Sequence, residues 1–367
     1  MPSDRDASKN TRLYPGTGID VRIPLIHITD LYHPPQDPDD HFDLATVASL
    51  PEFDLQGVIL DVTTKFLEGA PRGFDIPRDP GFVPVVQLGY LLGRAIPVAA
   101  GPTEPLRYPG DAARDRHITQ QAGIELLLHI VRSSSQPVTI SVVSSARVLA
   151  AAFNRDPELM LNKTRAVLLN AGTSAGTHDE WNVGLDRFAF IDLWKSGLPI
   201  HWYPCANENG AHDERHQHGS HWQATHEELL RGTSQRLQGW FCHALAGNRR
   251  GDIIRALHEE GRGAVWEHIL SAQRHLWSTA SLVMAADRIL ARTSEGWRFI
   301  PAEKPSAVES WPMSLEPIVA AVRDDGFVDW QPVAEPAAHR IFRRQEGHGY
   351  GTAMTDALNA LLCSLPC

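Results

Sequence analysis

Short apolar runs alternate with segments of helical periodicity along the first half of the chain. Strand-like runs recur at residues 23–29, 57–62, 96–100, 138–143, 165–169 and 198–203. Helix-like segments lie between them, among them 44–50, 122–132 and 146–154. This alternation is typical of a mostly parallel sheet that is covered by helices on both faces. We therefore predict an α/β fold with an open, mostly parallel (mixed) sheet flanked by helices.

The second half of the chain is less regular. Residues 207–226 are polar and rich in histidine, and they show no clean strand or helix pattern. Long helices are predicted at 227–246 and 263–291, and an amphipathic segment ends the chain at 352–365, after a charged, proline-containing stretch at 301–338. Because no linker is evident, we predict a flexible N-terminal arm (1–20) and a single domain (21–367) with a helical C-terminal part.

Composition narrows the class of protein. The chain has 43% hydrophobic and 21% charged residues, as is ordinary for a globular protein. Its formal net charge of −10 argues against a nucleic-acid polymer or an anionic membrane as its main partner. The four cysteines form no CxxC pair, and the sequence has neither an apolar leader nor a run of membrane-spanning length. We expect a soluble, cytoplasmic protein.

Polar residues follow several of the predicted strands. Asp30, Asp61, Val143 and Asn170 all fall at carboxyl ends of strands. In open α/β sheets, ligands bind outside these ends, so the loops can converge on one crevice.

The loop after the first strand is crowded with carboxylates. Asp30, Asp37, Asp39 and Asp40 lie between the strand and the next helix. Close like charges repel unless a cation or strong donors sit among them, and Ca²⁺ and Mg²⁺ prefer oxygen ligands. Aspartate is also a common helix N-cap, so a capped, solvated loop is the alternative for these residues, Asp39 included.

This loop resembles the Asp-x-Asp-x-x-x-Asp-Asp loop of the nucleoside hydrolases, the inosine–uridine-preferring N-ribohydrolases. Asp30 matches the second aspartate and Asp39-Asp40 the final pair, while Ile28 stands at the first. A late His-Asp pair of the family corresponds to Trp277-Ser278 here. Further blocks resemble the family in the same order: 97–106, 138–150, 156–158, 180–186 and 197–200.

The resemblance implies a Rossmann-like nucleoside hydrolase fold and hydrolysis of the N-glycosidic bond of a ribonucleoside by a metal-activated water. It implies Ca²⁺ held by Asp40, Asp30 and the Val143 carbonyl, with Asp30 also as general base. Ribose hydroxyls would be held by Asp39, Asn170, Glu180 and Asn182. The implied partner is a small nucleoside, within a homodimer or homotetramer.

The leaving base needs its own contacts. His275 lies near the family's histidine position and is a candidate acid, and Trp222 and Trp277 are candidates for stacking on the base, although large aromatic residues commonly fill cores. The 207–226 segment is interpreted as a mobile lid, and one of its histidines is a second candidate acid. Its spacing matches no zinc signature.

Two alternatives stay open. A catalytically weak homologue could only bind a ribosyl ligand, as the replacement at Ser278 would favour. An active enzyme could instead take a modified nucleoside. Asp37 is interpreted as a solvated loop charge and Asp61 as structural.

Overall fold

The computed structural model describes residues 22–67, 78–247, 251–259, 263–303 and 309–367. The predicted arm at 1–20 lies outside these residues. The strands are β1 Ile23–Thr29, β2 Phe53–Leu60, β3 Val98–Ala100, β4 Val138–Val142, β5 Thr164–Leu169, β6 Ile200–Trp202, β7 Trp222–Thr225, β8 Gln273–Leu276, β9 Arg288–Thr293, β10 Gly296–Pro301, β11 Glu309–Ser310, β12 Met313–Val322, β13 Val328–Pro332 and β14 His339–Arg344.

Helices surround these strands. They are α1 Asp39–Ser49, α2 Thr64–Leu67, α3 Phe82–Leu91, α4 Ala122–Ser133, α5 Arg147–Arg155, α6 Pro157–Lys163, α7 Trp181–Leu185, α8 Arg187–Lys195, α9 His226–Leu230, α10 Gln235–Leu245, α11 Ile253–Glu259, α12 Gly263–Leu270, α13 Thr279–Ala285 and α14 Tyr350–Cys363. Within the described ranges, no helix combines the length and apolar character needed to cross a bilayer.

A nine-stranded sheet forms the centre of the molecule, in the order β13-β12-β14-β6-β5-β4-β1-β2-β3. The seven strands from β14 to β3 pair in parallel, whereas β12 pairs antiparallel with both β13 and β14. The predicted open, mostly parallel mixed sheet flanked by helices is confirmed. Two smaller sheets, β10-β9-β11 and β7-β8, lie outside it.

Strand β1 shows why the apolar runs are nearly continuous. Leu25 packs into one hydrophobic core, while Ile26 and Ile28 pack into a second core. A parallel strand that is covered on both faces buries successive side chains on opposite sides, so apolar residues occupy consecutive positions.

The predicted long helices at 227–246 and 263–291 are wrong. The first is divided into α9 and α10, because Gly232 adopts a positive φ of 77° and Ser234 caps α10 by accepting from the Leu237 amide. The second is divided into α12, β8, α13 and β9, because β8 pairs antiparallel with β7. This pairing is a tertiary contact that local periodicity does not report.

The C-terminal part is not mainly helical, contrary to the prediction. The described residues between 288 and 344 form six strands, of which β12, β13 and β14 extend the central sheet. Ile318 and Ile341 bury their side chains in the second core, which stabilises the added strands. The terminal helix is confirmed as α14, and the single domain stays a prediction.

The register of the central strands sets the position of the site. The Val143 amide donates to the Ile28 carbonyl over 3.0 Å, and the Asn170 amide donates to the Val142 carbonyl over 3.0 Å. The carboxyl ends of β1, β4 and β5 therefore lie side by side, and the residues after them share one edge of the sheet.

Candidate active site

A cavity of about 400 Å³ opens at the carboxyl ends of β1, β4 and β5. It brings together most of the residues that the sequence singled out: Asp30, Asp39, Asp40, Val143, Asn170, Glu180, Asn182 and Trp277. It is also lined by residues that sequence reasoning had not assigned, among them Asp43, His178, Trp181 and Cys205.

Four carboxylates form one wall of the cavity. Asp30 follows β1, and Asp39, Asp40 and Asp43 lie on the first turns of α1. The Thr29 hydroxyl donates to Asp40 and so fixes the position of that carboxylate. Because residues three and four apart on a helix lie on one face, α1 presents Asp43 beside Asp39 and Asp40.

Asp43 is the carboxylate that sequence reasoning missed. It is only 1% exposed, and one of its oxygens accepts from the Ser278 hydroxyl at the start of α13. Its other oxygen, Oδ1, has no hydrogen-bond partner among the described residues. Its i+3 spacing from Asp40 was the available signal, although its closeness to Ser278 depends on the tertiary fold.

The electrostatics of this wall favour a cation. Burial, followed by repulsion from Asp61, raises the pKa of Asp30 to about 7. Burial also raises the pKa of Asp43 to about 7 and the pKa values of Asp39 and Asp40 well above their usual range, with neighbouring aspartates adding to each shift. Buried carboxylates with an unpartnered oxygen and a nearby backbone carbonyl are the donor set of a hard divalent cation, so the residues present fit Ca²⁺.

The other aspartates have separate roles. Asp37 is partly exposed, and Arg274 forms an ion pair with it at 2.5 Å, so its charge is already compensated. Asp61 is buried next to Arg147 at 3.8 Å and does not line the cavity, in agreement with a structural role. The N-cap alternative for Asp39 is wrong, because Pro38 occupies the N-cap and Asp39 begins α1.

A polar wall faces the carboxylates. Glu180 caps α7 and accepts from the backbone amides of Gly172 at 2.8 Å, Asn182 at 3.0 Å and Val183 at 3.1 Å. The Asn182 side-chain amide in turn donates to the Asn170 carbonyl at 3.1 Å. Glu180 thus orders the loop that precedes α7, and the same bonds hold its carboxylate at the cavity surface.

Aromatic residues flank the cavity. The Trp277 indole donates to the Ala211 carbonyl at 2.9 Å, which fixes its ring in the wall. Trp181 is 46% exposed and stacks on Phe66, with centroids 5.8 Å apart. Trp222 is fully buried in the hydrophobic core, because its pairing in β7 directs the side chain inward. The prediction that Trp222 stacks on a base is therefore wrong.

Three histidines meet beside Trp277. His212 lines the cavity, whereas His275 does not and instead contacts His221, with Nδ1 and Nε2 3.0 Å apart. Burial lowers the pKa of His221 to about 3, and it also lowers the pKa of His275. The segment that carries His212 and His221 is attached to β14, where Arg344 donates to the Gly219 carbonyl at 2.9 Å.

Curated proteins with similar sequences are nucleoside hydrolases, although no family model matches the chain. The pyrimidine-specific ribonucleoside hydrolase RihA of Salmonella paratyphi A is 26% identical over 200 residues, which are 49% of this chain and 59% of that protein. The chain therefore matches little more than half the length of this relative.

Solved structures with the same fold carry related names. The purine-preferring ribonucleoside hydrolase of Gardnerella vaginalis superposes with a TM-score of 0.54 at 13% identity, covering 93% of this chain and 99% of that one. The plant nucleoside hydrolase PpNRh1 gives a TM-score of 0.54 at 16% identity, covering 93% and 98%. The chain therefore has the fold of the nucleoside hydrolases, and the curated proteins that it resembles in sequence are ribonucleoside hydrolases as well.

Proposed function

We propose that the protein is an N-glycosidase that hydrolyses a ribonucleoside, or a related N-riboside, to a free base and ribose. One observation carries this proposal: four carboxylates, three of them buried, share a single cavity with the polar wall of Asn170, Glu180 and Asn182. The first wall suits a cation, and the second suits a sugar with several hydroxyls. The names of the similar proteins support the same reaction class.

We infer that Asp30, Asp40 and the Val143 carbonyl would hold Ca²⁺, with Asp43 as an additional carboxylate beside them. A Ca²⁺ ion bound there would supply an activated water as nucleophile. Ser278 brings no carboxylate of its own, but its hydroxyl contacts Asp43, which supplies one at the same place. The carboxylate of Asp43 beside Ser278 argues against the binding-only alternative.

The chain's own residues account for the remaining steps. Asp30 would accept the proton of the attacking water, because its carboxylate lines the cavity beside the proposed ion. Asp39, Asn170, Glu180 and Asn182 would orient the ribose hydroxyls. The carboxylates of Asp39 and Glu180 would stabilise the positive charge that develops on the sugar as the bond to the base breaks.

The departing base would lie against the aromatic side of the cavity. Trp277 provides a fixed ring there, and Trp181 provides a second, partly exposed ring. His212 lines the cavity and packs against Trp277 at 5.6 Å, so we assign it the contact with the base. His275, the candidate from the sequence, would act only through its neighbours His221 and His212.

The cysteines bear on the cellular setting of the protein. All four cysteines are free thiols, as a reducing compartment favours, and a role in purine or pyrimidine salvage in the cytoplasm would fit a nucleoside substrate. A homodimer or homotetramer remains a prediction, which sedimentation of the full chain would test.

The proposal is tested by ribose release from a panel of purine and pyrimidine ribonucleosides, with bound Ca²⁺ measured in the same preparations. We expect Asp40→Asn to lose the ion and at least a hundredfold in kcat/KM. Asp115→Asn, an exposed aspartate paired with Arg107, is the matched control and should behave as the parent. Asn182→Ala should weaken ribose recognition while Ca²⁺ stays bound.

Absence of ribose release from every nucleoside, with a ribosyl ligand still raising the thermal midpoint, would replace the hydrolase with the binding-only alternative. Unchanged turnover in Asp40→Asn would refute the assigned role of the carboxylate wall.

A further inference from the structure

Three histidines from distant parts of the sequence converge at the rim of the cavity. His212 and His221 come from the segment before β7, and His275 comes from β8. One ring nitrogen from each lies within 4.8 Å of the others, and the closest pair, His221 Nε2 and His275 Nδ1, is 3.0 Å apart. The pairing of β7 with β8 places His221 and His275 next to each other, which their 54-residue separation in sequence conceals.

The three rings form a compact group. The rings of His221 and His275 are stacked, with centroids 5.2 Å apart and planes at 25°. The ring of His212 lies across both, at 5.2 Å from His221 and 4.6 Å from His275. Trp277 closes the group, at 5.1 to 6.1 Å from each imidazole.

The chemical state of these imidazoles suits metal ligation. Burial, together with the neighbouring histidines, lowers the pKa values of His221 and His275, so both are neutral at pH 7. Neutral imidazole is the form that binds metals. His221 is 2% exposed, and its Nδ1 has no hydrogen-bond partner among the described residues.

We propose that His212, His221 and His275 form a binding site for a divalent transition-metal cation of the Zn²⁺ type, separate from the carboxylate wall. Nitrogen ligands 2.0–2.1 Å from a tetrahedral ion are about 3.3 Å apart, close to the 3.0 Å between His221 and His275. His212 is exposed, so its side chain can move to complete the set. Imidazole favours Zn²⁺, Cu²⁺ and Ni²⁺, whereas the carboxylates favour Ca²⁺.

The bound cation has a structural consequence. It joins the segment that carries His212 and His221 to β8, and it brings positive charge to the rim of the cavity. The proposal does not rest on N-glycosidase activity, because metal binding is measured without any nucleoside.

The test is a calorimetric titration of the full chain with Zn²⁺ in the presence of millimolar Ca²⁺. Every protein carries Cys363→Ser and Cys367→Ser, so that the accessible thiols do not bind the ion. We expect one Zn²⁺ per chain and a loss of affinity of at least tenfold in each of His212→Ala and His275→Gln. His117→Gln, an exposed histidine outside the group, is the matched control and should bind Zn²⁺ as the parent does.

A spectroscopic measurement complements the titration. Co²⁺ in place of Zn²⁺ should give visible absorption bands of a nitrogen-ligated ion, and these should disappear in His212→Ala. Because His212 is exposed, this variant should keep the thermal midpoint of the metal-free parent, so lost binding would not reflect unfolding. Asp40→Asn should retain Zn²⁺ binding.

Two results would overturn the proposal. If the parent binds no Zn²⁺ under these conditions, the contact between His221 and His275 is an ordinary imidazole hydrogen bond. If Zn²⁺ affinity falls in Asp40→Asn but not in the histidine variants, the ion occupies the carboxylate wall. The absence of ribose release would not affect the measurement of Zn²⁺ binding, so the metal site and the N-glycosidase activity are tested independently.

Discussion

Arg147 illustrates how a single buried residue supports the site without lining it. Its guanidinium donates to Asp186 at 3.0 Å and to three backbone carbonyls, and it lies 3.8 Å from Asp61. The side chain is 1% exposed. Arg147 therefore joins the segments that follow β2 and β3 to the start of α8.

Replacing Arg147 by Met should lower the free energy of unfolding by about 3–5 kcal/mol, because it would leave the buried charges of Asp61 and Asp186 without a counter-ion. Arg132→Met is the matched control: its ion pair with Asp156 is exposed, so the change should cost about 1 kcal/mol or less. Urea denaturation of both variants measures the difference, and equal losses would refute the assignment.

His27 provides a test of pH dependence. It is fully buried in β1, where its Nδ1 contacts the Ser141 hydroxyl at 3.3 Å, and burial lowers its pKa from 6.5 to about 3. Below pH 6.5 the unfolded chain takes up a proton on this imidazole and the folded chain does not. The contribution of His27 to stability is therefore intact above pH 6.5 and is lost progressively as the pH falls toward 3.

Between pH 7.5 and pH 5.5 this difference in proton binding amounts to about 1.4 kcal/mol. When the pH is lowered from 7.5 to 5.5, the parent loses this contribution of His27 and the His27→Leu variant does not. We therefore expect the change in the free energy of unfolding over this interval to be about 1.4 kcal/mol more favourable in the variant than in the parent. The two proteins must be compared, because the raised pKa values of the buried aspartates stabilise the folded protein as the pH falls and so act in the opposite direction. This contribution is the same in both proteins and cancels in the difference. Identical pH profiles would contradict the argument.

At the scale of elements, α10 and α11 approach so closely that only glycine fits between them. A Cβ atom added to Gly239 in α10 would lie 2.2 Å from the carbonyl oxygen of Leu257 in α11. Backbone cannot move away as a flexible side chain can. The close contact between α10 and α11 is therefore possible only because Gly239 has no Cβ atom.

Gly239→Ala should lower the free energy of unfolding by about 1–3 kcal/mol, as overpacking does elsewhere. Gly184→Ala in α7 is the matched control, since no atom lies within 4 Å of the added Cβ and alanine favours a helix. It should be neutral or stabilising by up to about 1 kcal/mol. Thermal unfolding of the two variants decides the point, and a stable Gly239→Ala protein would show that α11 can shift.

At the scale of the whole molecule, the proposed cation site joins residues that are far apart in the chain. Asp30 follows β1, Asp40 lies in α1, Val143 follows β4, and Ser278 precedes α13. Such a binding site exists only in the folded state, so binding of the ion stabilises the folded protein by mass action.

Ca²⁺ at a hundred times its dissociation constant should add about 2.7 kcal/mol to the free energy of unfolding. Asp43→Asn should reduce this gain, because Asp43 has an unpartnered buried oxygen at the site. Asp37→Asn should retain the gain, since Arg274 already compensates the charge of Asp37. Differential scanning calorimetry with and without Ca²⁺ measures each, and a larger loss in Asp37→Asn would reverse the assignment.

The sequence by itself determined the α/β architecture and much of the cavity. Apolar runs that are buried on both faces reveal parallel strands directly, and the ends of such strands mark where ligands gather. For this reason Asp30, Val143 and Asn170 were assigned correctly to one edge of the sheet. The blocks at 39–40 and 180–182 were assigned to the same crevice by the resemblance to the nucleoside hydrolases, and they line it.

Only the tertiary structure decided the rest, because those features depend on contacts between distant segments. Pairing of β7 with β8 interrupted the helix predicted at 263–291 and turned Trp222 into the core. The contact between Ser278 and Asp43 spans 235 residues, and the meeting of His221 with His275 spans 54. Local periodicity reports burial along one element, whereas these contacts are fixed by how elements pack on one another.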